Sequence, residues 1–79
     1  MMTTSDLDLL KNRIDRVVRI DCIDGEVLFA KPLVVTEEDE DIIFDLISTN
    51  RPDKYEKLDI QPAYMLRFEH IAHVEALPG

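Results

Sequence analysis

His70 and His73 stand three residues apart, flanked by Glu69 and Glu75. On a helix this spacing would put both imidazoles on one face, where they could hold a metal ion. The segment around them reads as turn and strand, and no third nitrogen or sulfur donor lies near them in sequence. They are read as surface histidines, and no metal or other cofactor is expected. Cys22 is the single cysteine. It falls on the apolar face of an alternating segment, where a thiol is a small core residue, and no histidine follows it in a nucleophile pattern. It has no second cysteine to pair with, which suits a reducing cytoplasm. The two glycines, Gly25 and Gly79, are too few and too far apart for a loop that cradles phosphate. A working pair of carboxylates needs a cleft that 79 residues can hardly enclose. No catalytic residue is assigned, and the chain is not expected to be an enzyme.

Charge narrows the partners. Asp and Glu total 17 against 9 Lys and Arg, a net charge of −8. A field of that sign repels polyphosphate and anionic headgroups, so it argues against nucleic acid and favours a basic protein. Arg13, Arg16 and Arg19 could form a small basic strip, but surface ion pairs, worth about 0–1 kcal/mol each, are their expected use. Residues 37–41 are acidic in an unbroken run. They are read as a solvated loop, or more sharply as a docking tip for a basic partner. Residues 1–8 show no secretory pattern and no apolar run approaches a membrane span, so a cytoplasmic protein is expected.

These residues must be positioned by one small domain spanning residues 1–79. Leu7, Leu10 and Ile14 recur with helical spacing, and Ser5 with Asp8 fits a capping pattern, so a helix is predicted over 6–13. Residues 17–23 alternate and lead into Asp24-Gly25, the strongest short-range hairpin signal. A two-residue turn would pair Ile23 with Glu26, Cys22 with Val27 and Ile20 with Phe29. That register gathers Val18, Ile20, Cys22, Val27 and Phe29 on the core face and leaves Ile23 and Leu28 outside. Pro32 interrupts the second strand and predicts a bend or bulge. Strand 42–48 places Ile42, Phe44 and Leu46 on one face and Ile43, Asp45 and Ile47 on the other. Residues 50–62 read as a long loop with one helical turn near 53–57. Strands are predicted over 63–68 and 71–77.

This order of elements resembles the Sm-like (SH3-type) small barrel. The stretch 18–27, VRIDCIDGEV, is similar to the family's apolar strand, Asp-Gly and second strand. Leu66-Arg67-Phe68-Glu69-His70-Ile71 is similar to its closing pattern of an apolar residue, Arg, Gly, two polar residues and Ile. The resemblance implies a mainly β fold, a short N-terminal helix followed by a five-stranded barrel. It also implies RNA binding through the loop after the second strand, and rings closed through strand edges. Only Arg67 matches the family's RNA-contacting positions. The loop here reads Val35-Thr36-Glu37-Glu38-Asp39, without the family's Asn or aromatic, and Phe68 stands where the family has Gly. The same barrel is similar to small acidic Rho-inhibitor proteins of the Rof type, which bind a protein.

The expectation is a non-catalytic interaction module that binds protein and associates with itself, as a dimer before a ring. RNA binding in the Sm manner is the alternative, and inhibition of a nucleic-acid-handling protein a second. The expected surface comprises Ile23, Leu28, Ile43, Ile47, Met65 and Arg67, apolar residues on adjoining strands together with the one matching cation.

Overall fold

The computed structural model describes residues 2–55 and 63–77. Helix α1 runs Thr4–Asn12, and its cap is Thr3, not Ser5. The Thr3 hydroxyl accepts from the Asp6 amide at 3.2 Å, while Asp6 Oδ2 accepts from the Thr3 amide at 2.9 Å. This is a reciprocal capping box. Asp6 also reaches across the fold, where its Oδ1 accepts from the Val74 amide at 3.0 Å, a tertiary bond that the predicted Ser5–Asp8 pair does not have. Leu10 is buried, whereas Ile14 is exposed beyond the helix end, next to Asp15 at φ 66°.

Five strands follow: β1 Val18–Cys22, β2 Val27–Thr36, β3 Asp41–Thr49, β4 Tyr64–Arg67 and β5 Ile71–Ala76. They form one antiparallel sheet in the order β4-β3-β2-β1-β5. The register of β2 on β3 shifts between Phe29 and Ala30 and again between Pro32 and Val34. Such bulges add local twist and bend the strand, as the proline predicts. The two edge strands are consecutive in sequence, joined only by a 3-10 turn at Phe68–His70, so the sheet must curl to bring them together. That turn is tied on both sides. The Phe68 amide donates to the Glu40 carbonyl at 2.8 Å, and the His70 carbonyl accepts from the Ile23 amide at 2.9 Å. The result is the helix and five-stranded small barrel that the sequence leads one to expect.

The β1–β2 hairpin departs from expectation by one residue. Ile20 lies opposite Leu28, Asp21 opposite Val27 and Arg19 opposite Phe29. The cause is the turn. A two-residue turn of the expected type needs positive φ at both Asp24 and Gly25, and only Gly25 has it, at 93°. Instead the Gly25 amide donates to the Cys22 carbonyl at 3.1 Å, and Ile23, Asp24 and Gly25 form a three-residue loop. Glycine serves at that left-handed position because it lacks a Cβ. Asp24 Oδ1 accepts from the Glu26 amide at 3.0 Å and firms the loop. One slipped residue exchanges the two faces of β2. Leu28, expected outside, is fully buried, and Val27 and Phe29, expected in the core, are only half-buried.

The core comprises Leu10, Val18, Ile20, Cys22, Leu28, Ala30, Ile42, Phe44, Ile71 and Val74. Along β3, Ile42 and Phe44 point in and Leu46 packs beside them, while Ile43, Asp45 and Ile47 take the other face, as the alternation predicts. Strand β4 ends at Arg67, because Phe68 already belongs to the 3-10 turn. In the long loop a 3-10 turn occupies Pro52–Lys54, earlier than the turn predicted at 53–57. Residues 56–62 of that loop lie outside the described residues.

Candidate interaction surface

The new register carries Glu26 inward to a site 1% exposed. A buried carboxylate is costly unless donors surround it. Here Glu26 Oε2 accepts from the Thr49 hydroxyl at 2.7 Å and from the Tyr55 hydroxyl at 2.8 Å. Burial, and then the bond to Glu26, push the Tyr55 hydroxyl well above its ordinary range, so it remains a donor. The Tyr55 ring packs edge-on against Tyr64 of β4, with centroids 4.9 Å apart. Asn50 Oδ1 accepts from the Val27 amide at 2.9 Å, and Arg51 Nη2 donates to the Asp24 carbonyl at 3.0 Å. The start of the long loop is therefore strapped across the hairpin tip. Sequence reasoning missed Glu26 because it placed that residue on the outer face, and it missed Tyr55 as Glu26's partner for the same reason.

Cys22, Asp24 and Glu26 bring their ligating atoms within 4.8 Å of one another. That closeness arises from the tight hairpin, and the Glu26 oxygen named above already serves two hydroxyls. His70 and His73, weighed together in sequence, have separate settings. His70 closes the 3-10 turn, and its side chain lines a cleft of about 260 Å³ with Cys22, Ile23, Asp24 and Leu66. His73 lies on β5 with Nδ1 3.3 Å from Asp6 Oδ1. Burial pushes the Asp6 carboxyl up. The Thr3 and Val74 amides, the Thr3 hydroxyl and His73 outweigh it and hold the carboxyl below its ordinary range. Asp6 is an anchor between α1 and β5.

The expected apolar surface divides into parts. Leu28 leaves it for the core. Ile23, 61% exposed, sits apart at the hairpin tip, and Ile47 is the extra residue of a bulge in β3, opposite Phe29 and Ala30 of β2. Ile43 and Met65 are direct cross-strand partners, and Val34 lies opposite Ile43 on its other side. Val34, Ile43 and Met65 thus make an apolar row across β2, β3 and β4 that ends at the sheet edge, with Met65 61% exposed. Val34 was not among the expected members, since its face could not be assigned past the bulge at Pro32. Arg67 is exposed, pairs with Glu69 at 3.2 Å, and lies opposite Asp41 across the ladder. Arg19 pairs with Asp21 at 3.0 Å, so the arginine near the helix junction is used as an ion pair. The acidic turn at 37–40 is solvent-exposed, and Lys11 Nζ reaches Glu37 Oε1 at 2.9 Å. Beside it a second cleft, of about 240 Å³, is lined by Met2, Glu40, Phe68 and Glu69.

No family model and no curated protein matches the chain. Among solved structures, it is similar to the crystal structure of an SmAP (LSm) protein from Methanococcus vannielii. The match covers 92% of this chain and 96% of that one, with a TM-score of 0.67 and 16% identity. The chain has the Sm-like fold, short N-terminal helix and five antiparallel strands included. At this identity the likeness is one of fold, and function must be argued from the surface. No described helix is long and apolar enough to cross a membrane.

Proposed function

We propose that this chain is a non-catalytic Sm-like protein that associates with itself and binds RNA. The likeness to an SmAP (LSm) protein over nearly the whole of both chains carries this reading. It favours RNA over an unrelated protein as the ligand, although the charge argues the other way. The acidic turn at 37–40 stands where the resemblance puts the RNA-contacting loop, and it supplies carboxylates in place of a base-reading pocket. RNA contact is therefore expected to be weak and centred on Arg67, the one matching position. Self-association is supported by the exposed row ending at Met65 and by the β4 edge where that row ends, since unpaired edges invite strand addition.

A second reading, docking of a basic protein segment, is favoured by one observation. The exposed acidic turn belongs to a chain of net charge −8. Fluorescence anisotropy of labelled uridine-rich and adenine-rich oligonucleotides, titrated at several salt concentrations, separates the two. RNA binding predicts a signal at low salt that weakens as salt rises and falls further in Arg67→Ala. No signal at any salt, with saturable binding of a Lys/Arg-rich peptide, would give the answer to the second reading.

A further inference from the structure

We propose that the two edges of the sheet are unequal: α1 closes the β5 edge, and β4 is the surface through which two copies of this chain pair about a two-fold axis. The inference rests on the self-association proposed above and names the surface that performs it. In an antiparallel ladder, pairs joined by hydrogen bonds alternate with pairs that are not. The Phe68 amide donates to the Glu40 carbonyl, and the ladder then runs Asp41–Arg67, Ile42–Leu66, Ile43–Met65, Phe44–Tyr64. Tyr64 and Leu66 therefore direct their backbone groups to β3, and Met65 and Arg67 direct theirs outward. Among the described residues nothing but β3 pairs with β4.

The β5 edge differs. Val74 lies opposite Ile20 of β1, yet its amide goes to Asp6 Oδ1 at 3.0 Å, so it too points outward. Strand β5 has six residues, and Val74 is central to its outward groups. An incoming strand would have to displace a carboxylate that is itself buried and locked into the helix cap by the Thr3 amide and hydroxyl. A charge-assisted bond of this kind is stronger than the amide–carbonyl bond that would replace it. Natural sheets commonly protect an edge by laying a helix over it.

One open edge per chain gives a closed dimer, whereas a ring needs two different complementary edges on every copy. The occupant is a second copy because β4 complements itself. Centred on Leu66, an antiparallel pairing sets each Met65 opposite the other copy's Arg67. It keeps the two guanidinium groups apart and brings the two Val34–Ile43–Met65 rows side by side on one face.

Sedimentation velocity and concentration-dependent amide hydrogen exchange on the full chain test this together. The wild type should sediment as a dimer at micromolar concentration. Protection of the Met65 and Arg67 amides should rise with concentration while that of Val74 stays constant. Met65→Pro removes an outward amide that the fold does not use and should give a folded monomer. Asp6→Ala opens the second edge and should yield species larger than the dimer. A ring in the wild type, a dimer unchanged by Met65→Pro, or concentration-dependent protection at Val74 or Ala76 would overturn the inference while leaving self-association standing. A monomer at every concentration overturns both. The exchange measurement uses the wild-type chain alone, so it decides the matter even if a variant fails to fold.

Discussion

Two buried carboxylates, Asp6 and Glu26, organise this small protein, and sequence reasoning placed neither of them inside. Acidic residues are so abundant here that composition cannot say which of them turns inward. Asp6 did carry a signal, a T-x-x-D pattern, but a second candidate box two residues later hid it. Its pH dependence follows from its environment. The folded carboxyl titrates below its ordinary value, so its contribution to stability is full above about pH 4 and is lost as pH falls through the lower, folded value. Acid unfolding followed by circular dichroism should show this loss, and Asp6→Asn should flatten the curve below about pH 4. For Glu26 the donors matter most. Tyr55→Phe removes one hydroxyl from a buried acceptor and should cost about 1–3 kcal/mol in urea unfolding. A cost near zero would mean that Tyr55 does not hold the loop to the hairpin.

At the scale of elements, strand count, order and the faces of β3 were legible, because Ile42, Phe44 and Leu46 make a wholly apolar face while the other holds Asp45. The hairpin was legible as a hairpin, and its register was not. Asp-Gly serves both a two-residue turn and a three-residue loop, and the two differ only in the backbone of Asp24. That difference moved Leu28 from surface to core and took Val27 and Phe29 out of it. Two substitutions separate the registers. Leu28→Ala should cost about 2–5 kcal/mol as a cavity in the core. Val27→Thr, on the outer face, should cost well under 1 kcal/mol, since its hydroxyl remains able to meet water. The reverse ranking would restore the two-residue turn. The pre-proline bend was legible too, but not the phase of β2 beyond it, so Val34 went unassigned.

At the scale of the whole molecule, fold and surface point in partly different directions. The backbone has the Sm-like fold, while the turn at 37–40, which the proposed function brings near RNA, is filled with acid. Neutralising the turn as Glu38→Gln, Asp39→Asn and Glu40→Gln should leave the fold intact and strengthen RNA binding, most visibly at low salt, where charges are least screened. Unchanged affinity would show that RNA never approaches this turn. The apolar row ending at Met65 was partly legible, because alternation along β3 and β4 put Ile43 and Met65 each on the outer face, but its use depends on which sheet edge stays open. Assembly and RNA binding meet in one measurement, sedimentation of a labelled uridine-rich oligonucleotide with rising amounts of the unlabelled protein. The account predicts that at low salt the label moves with a species holding more than one protein chain, and that added salt releases it. A label that sediments as free RNA at every salt concentration, beside a protein that remains a 9.1 kDa monomer, would contradict it.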